Sequence, residues 1–197
     1  MKLSRRHFIQ ATALSLASTS AFGFSFNFGK KTEEVQNIGK TLIIYFSQTG
    51  TTKFLAKEIH KRIGGDIFEV KAAKPYIGTY KQLKIIAQDE QDRNFRPKLE
   101  SLPDISSYDT IVFGFPTWLY TMPMVMFTLI ENVDFSNKNI IPFNTHGGTG
   151  FSSSLRHFKQ ISPKSKIYEG IEILDVDLED SSNQINSWLK DLGFTKA

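Results

Sequence analysis

The chain has 197 residues, 40% hydrophobic and 22% charged, which is globular composition at single-domain length and excludes a disordered, collagen-like or polytopic membrane protein. Cysteine is absent, so disulfides, thiolate catalysis, Cys-ligated iron–sulfur clusters and c-type haem are excluded. The net charge of +4 lies mostly at the N-terminus: residues 1–29 hold Lys2, Arg5 and Arg6 and no acid, and removing these three from the 24 Lys and Arg leaves 21 against 20 acids, with no basic stripe to bind nucleic acid.

Met1–Arg6 is basic, and Phe8–Phe22 is apolar or small without a charge. That run is shorter than the ~20 residues of a membrane span and has the order of an export signal. Ser4-Arg5-Arg6-His7-Phe8-Ile9 resembles the twin-arginine signal of bacterial Tat export, with Gln10 where that signal often carries Lys. The other reading of these residues is a basic amphipathic helix packed on the domain. The expected division is a signal over residues 1–23, a linker over 24–39 and one domain over 40–197, delivered to the periplasm. The cleavage point is poorly marked; a retained signal would anchor the protein, and otherwise no stable membrane span is expected.

From residue 40 the pattern alternates. Thr41–Phe46 is a continuous apolar run, as in a strand covered on both faces. Phe54, Leu55, Ile59 and Ile63 mark a helix that Gly64-Gly65 ends. Asp66–Val70 reads as a second strand, Tyr80–Gln91 as a helix and Thr110–Phe115 as a third strand. Thr121 is placed to cap the next helix, with Pro123 in its first turn. Asn139–Phe143 is the fourth strand, and Phe151, Leu155 and Phe158 stand at helical spacing. Ile171–Leu178 is the expected last strand, near an edge, and Ser181-x-x-Gln184 the capping box of a final helix through Ile185, Trp188, Leu189 and Leu192. Alternation of five strands with helices predicts an α/β fold with a doubly wound, five-stranded parallel sheet.

In such a sheet ligands bind beyond the carboxyl ends of the strands. Three loops fall there. Ser47, Gln48, Thr49, Gly50, Thr51 and Thr52 lead into a helix N-terminus and offer four hydroxyls and backbone N–H groups to a phosphate. This is neither a Walker A loop nor a G-x-G-x-x-G turn. The second loop is Pro116, Thr117, Trp118, Leu119 and Tyr120, whose aromatic rings suit stacking on a flat ring. The third is Thr145, His146, Gly147, Gly148, Thr149 and Gly150, with His146 as its only ring.

Ser47-x-Thr49-Gly50-x-Thr52 after a strand resembles the flavodoxin phosphate loop. Gly114-Phe115-Pro116-Thr117-Trp118 with Met122-Pro123 is similar to the first flavin-ring loop of flavodoxin-like proteins, and Thr145–Gly150 to the second. Pro75-Tyr76, Tyr80 and Arg96-Pro97 also fit the small-flavodoxin branch, over residues 40–192 in all. The resemblance implies FMN as cofactor, its phosphate held by Ser47–Thr52 and its ring bracketed by Pro116–Tyr120 and Thr145–Gly150. Leu119 stands where the family often has a second Trp, and the second ring loop has no Tyr or Trp, so one flavin face is expected to be open. His146, at the ring edge, is the candidate catalytic residue; ordering of its own loop is the other reading. His60 and His157 are expected at the surface. The acids Glu172, Asp175, Asp177, Glu179 and Asp180 read as a solvated strand edge, and no metal site is expected. The function implied is an FMN-dependent reductase passing electrons to a small acceptor such as a quinone. The alternatives are a non-enzymatic carrier between redox proteins and a flavin-free binding module. The donor, the acceptor and the oligomeric state are not readable from the sequence.

Overall fold

The apolar run Thr41–Tyr45 forms strand β1, buried along its length and paired on both sides. The structure is a computed structural model that describes residues 33–35 and 37–194. The expected export signal of residues 1–23 therefore lies outside the described residues. Val35 and Ile38, in the expected linker, pack on the domain: Val35 is buried and its N–H donates to the Leu192 carbonyl.

After β1 the chain forms α1 (Thr51–Ile63), β2 (Asp66–Glu69), α2 (Tyr80–Asp92) and β3 (Thr110–Pro116). Then come α3 (Met124–Asn132), β4 (Asn139–His146), α4 (Ser154–Ile161), the short strands β5 (Lys166–Ile167) and β6 (Ile171–Leu174), and α5 (Ser182–Asp191). The sheet is parallel, ordered β2-β1-β3-β4-β5, with β6 also on β4. This 2-1-3-4-5 order is that of the flavodoxin-like folds, the established example of binding at a topological switch point, here between β1 and β3.

Alternate residues of the strands feed two cores. Leu42, Ile44, Phe113 and Phe115 face α3 and α4 with Val125, Leu129 and Phe158. Ile43, Val112, Ile141 and Phe143 face α1 and α5 with Leu55, Ile59, Ile185 and Leu189. Beyond α2, the Arg96 guanidinium forks onto both Glu131 carboxylate oxygens of α3 at 2.7 Å, and Thr128 donates to the Pro97 carbonyl. That explains why Arg96-Pro97 stands between these helices.

The expected last strand, Ile171–Leu178, is corrected in two ways. It ends at Leu174, where Asp175–Asp177 turns into a 3₁₀ helix, and it is preceded by β5 on the same edge of β4. The cause of the break is Pro142. Ile140 accepts from the Tyr168 N–H, so Pro142, two residues on, turns its nitrogen to the same side with no hydrogen to donate. The partner strand answers with a bulge, three residues (168–170) opposing Ile141 and Pro142. Gly170 is needed there because a Cβ would lie 2.5 Å from the Pro142 carbonyl oxygen.

Two capping expectations are also corrected. Thr121 does not cap α3, which starts after Pro123; its hydroxyl pairs with His157 Nδ1 at 3.1 Å. Ser181 makes no cap bond to α5 and donates to the Leu178 carbonyl instead. The capping box that does form is Thr79–Gln82 on α2. β4 also runs three residues further than expected, so Thr145 and His146 are strand residues.

Gly114 of β3 sits directly beside Phe143 of β4, and the Phe143 ring lies across it: a Cβ on Gly114 would come within 2.0 Å of that ring. Gly114→Ala is accordingly expected to lower stability by ~1–3 kcal/mol, the cost of overpacking a filled core, read as a lower urea midpoint with unchanged slope.

Candidate functional site

The three central strands end nearly level. Tyr45 pairs with Gly114, Gly114 with Phe143, and Pro116 with Thr145, so the loops after β1, β3 and β4 share one lip of the sheet. The expected site residues are thus brought together by the register.

In the first loop Gly50 takes a left-handed conformation (φ 98°) that turns the chain into α1. Its N–H donates to the Ser47 hydroxyl at 3.2 Å, and the Thr49 and Thr51 hydroxyls share a hydrogen bond of 3.0 Å. No side chain caps α1, so its first N–H groups point outward, and nothing lies within 4 Å of a Cβ built on Gly50. Gln48 reaches away, its Nε2 donating to the Tyr76 carbonyl at 2.9 Å. Thr52 turns inward: it is buried, and its hydroxyl shares a 2.8 Å hydrogen bond with the Thr145 hydroxyl, tying the first loop to the third.

Thr117 joins the second loop to the third. Its N–H donates to the Thr145 carbonyl at 2.9 Å, and its hydroxyl donates to the Gly150 carbonyl at 2.5 Å while accepting from Asn144 Nδ2 at 2.6 Å. Beyond it Trp118 and Thr121 exchange backbone hydrogen bonds around Leu119 (φ 47°) and Tyr120 (φ 67°). This is a type I′ turn without the Asn-Gly that such turns favour. Two side chains hold it: Gln91 donates to the Trp118 carbonyl at 3.1 Å and the Ser153 hydroxyl to the Tyr120 carbonyl at 2.8 Å. Trp118 is half-buried, set edge-to-face against Phe46 and Tyr76, whereas Tyr120 is 68% exposed.

In the third loop the Gly148 N–H donates to His146 Nδ1 at 2.9 Å. The neutral ring therefore carries its proton on Nε2, and both expected roles, ordering the loop and donating at the lip, are open to this side chain. Asp175 faces His146, whose attraction partly offsets the burial that pushes the Asp175 carboxyl up. Gly147 and Gly148 border open space. Gly150 (φ 57°) is needed where the Glu172 carboxylate, which accepts from the Phe151 N–H, crowds it to 2.5 Å from a Cβ. Glu172 thus braces the loop, although it stays on the solvated edge expected of it. His157 is half-buried on Thr121, with burial pushing its pKa down, and His60 lies against the Gly65 carbonyl. Among the described residues no cluster of acids and histidines is grouped to hold a metal ion.

Asn144, Glu90, Gln91 and Ser153 were not candidates from sequence. Asn144 was visible as a lone amide closing an apolar strand, and Glu90 as an acid at i+3, i+4 and i+7 from Ala87, Ile86 and Leu83 on the apolar face of α2. Asn144 is fully buried and its Oδ1 has no partner.

These residues fit FMN. The uncapped α1 terminus with the Ser47, Thr49 and Thr51 hydroxyls suits a phosphate, the open face of Gly50 leaves room for it, and Trp118 with the unobstructed Gly147 and Gly148 suits a flat ring. Fold and loops together define a flavin-type α/β protein. A family model described as Flavodoxin matches residues 40–192, and the chain belongs to that family.

A curated flavodoxin of Haemophilus influenzae is 28% identical over 100 residues, 49% of this chain and 44% of that protein, so the chain spans less than half the length of that relative. A solved structure from Bacteroides uniformis ATCC 8492, described as a flavoprotein, is 32% identical, with TM-score 0.65 over 77% of this chain and 98% of the other. A flavoprotein from Lactobacillus acidophilus NCFM, solved in complex with FMN, is 26% identical, with TM-score 0.57 over 73% of this chain and 98% of the other.

The Leu119–Tyr120 turn holds two non-glycine residues in the left-handed region, at a cost of ~1–2 kcal/mol each. Tyr120→Gly relieves one of them at an exposed position and is expected to raise stability by ~0.5–1 kcal/mol net of the glycine's entropy. The check is the urea unfolding of the FMN-free protein.

Proposed function

We propose that this flavodoxin-family protein is an exported FMN-dependent oxidoreductase that passes electrons from a donor to a small acceptor such as a quinone. FMN is its cofactor and supplies the redox chemistry when bound. Ser47, Thr49 and Thr51, with the α1 N–H groups, hold the phosphate. Trp118 backs one side of the ring, Thr117 keeps the two ring loops together, and His146 presents its Nε2–H at the ring edge. The observation that carries the reading is the open ground at Gly147 and Gly148: neither would place a Cβ within 4 Å of another atom. A flat acceptor has room to lie there, as small-molecule sites require.

Gly147→Trp tests this, because Gly147 does not need a positive φ and its face is unobstructed. A large ring there is expected to cut quinone turnover by ~10-fold or more while FMN retention changes little, the loss of one stacked acceptor contact of ~1.4 kcal/mol or above. Intact quinone turnover in that variant contradicts the small-acceptor reading.

The second reading, a carrier between redox proteins, is favoured by a different observation. Tyr120, Ile77 and Tyr80 are 68%, 80% and 84% exposed; Tyr120 belongs to the turn after Trp118, and Ile77 directly follows Tyr76, the ring that touches Trp118. Exposed apolar groups beside a redox centre suit contact with a protein. Steady-state turnover with soluble quinones separates the two readings.

The export part of the proposal rests on Arg5 and Arg6 before an uncharged apolar run. A pathway for folded proteins also suits a domain whose cofactor is loaded before translocation. Among the described residues no helix is long and apolar enough to cross a membrane. Replacing Arg5 and Arg6 together by Lys is expected to retain the protein in the cytoplasm, measured by cell fractionation; undiminished periplasmic delivery contradicts it.

A further inference from the structure

Glu90 is the only charged residue among the described ones that is buried, at 7% exposure. A carboxyl in that position costs free energy unless it is partnered. Its partner is the Tyr76 hydroxyl, which donates to Glu90 Oε2 at 2.9 Å. Burial, reinforced by Asp89, pushes the Glu90 carboxyl up, while the Tyr76 hydrogen bond and Arg93 pull it down. Burial and then Glu90 push the Tyr76 phenol up, so Tyr76 stays a donor across the physiological range.

Packing alone does not call for this pair, because a leucine and a phenylalanine would fill the same space without a buried carboxyl. What the pair does is fix the ring of Tyr76. That ring stands edge-to-face to Trp118 at 5.3 Å and 82°, and to Phe46 at 6.0 Å and 72°, with Phe46 and Trp118 also edge-to-face at 5.7 Å. The Tyr76 carbonyl accepts from Gln48 of the phosphate loop, and Gln91, next to Glu90, donates to the Trp118 carbonyl. One turn of α2 therefore holds the ring loop directly through Gln91 and indirectly through Tyr76, and Tyr76 touches both the ring loop and the phosphate loop.

We propose that Glu90 and Tyr76 are a buried positioning pair: Glu90 orients Tyr76, and Tyr76 sets the Trp118 ring in the ring loop and Gln48 in the phosphate loop. The proposal rests on FMN as the cofactor and assigns the pair no contact with it.

The test uses the full-length protein, stripped of flavin and titrated with FMN, with affinity read from flavin fluorescence, bound-flavin geometry from visible circular dichroism, and stability from urea unfolding. Tyr76→Phe and Glu90→Leu are each expected to weaken FMN by about tenfold, the scale of one buried hydrogen bond, and to change the visible dichroism. Glu90→Gln keeps an acceptor for the Tyr76 hydroxyl and is expected to bind FMN like the wild type. The double variant is expected to lose no more than the worse single one, as coupled partners do. Wild-type affinity and dichroism in Tyr76→Phe, with only the urea midpoint lowered, overturns the proposal; that variant decides the matter even if Glu90→Leu does not fold. A wild-type protein that takes up no FMN overturns the cofactor reading itself, a result distinct from a wild type that binds and variants that bind equally well.

Discussion

The nearly level ending of β1, β3 and β4 is the constraint on which the site depends. Parallel pairing fixes Tyr45, Gly114 and Phe143 side by side, and every later contact in the three loops follows from that level lip. A one-residue slip of β4 against β3 would turn Asn144 and Thr145 each to the face opposite its present one. Asn144 would then lose Thr117, and Thr145 would lose Thr52. Gly114 guards the register because the Phe143 ring occupies the space where a side chain would stand.

Hydroxyls and amides, rather than ion pairs, hold the loops to one another. The Thr52–Thr145 and Asn144–Thr117–Gly150 links are short and shielded, and they join loops far apart in sequence. Glu172 adds the one carboxylate bracing contact, to the Phe151 N–H. The lip also departs from what stability alone would favour: it contains a turn of two strained residues, an orphaned amide oxygen on Asn144 and a carboxyl buried at Glu90. Such departures cluster where a structure is shaped for a ligand rather than for stability.

The elements were legible because their signals are local: the apolar run 41–46, the Gly64-Gly65 stop and the final amphipathic helix each declare themselves within a few residues. The three loops were legible because each directly follows a strand. What sequence could not place was decided by partners distant along the chain. Thr52 reads as one more loop hydroxyl, and only the position of Thr145 turns it inward. Thr121 reads as a cap, yet His157 takes its hydroxyl. Pro142 falls inside an apolar run, and its consequence, the bulge at 168–170, appears on another strand. Glu90 stands on the apolar face of α2, but its partner, Tyr76, lies fourteen positions earlier in a loop and cannot be read from that helix.

The central claim is that the first loop and the α1 terminus recognise a phosphate while the other two loops recognise the attached ring. Paired titrations of the flavin-free protein with FMN and with riboflavin, which lacks the phosphate, test it most directly. The account predicts one equivalent of FMN bound and riboflavin weaker by ~100-fold or more, the scale of several hydrogen bonds to a charged group. Equal affinity for the two ligands, or binding of neither, would contradict it.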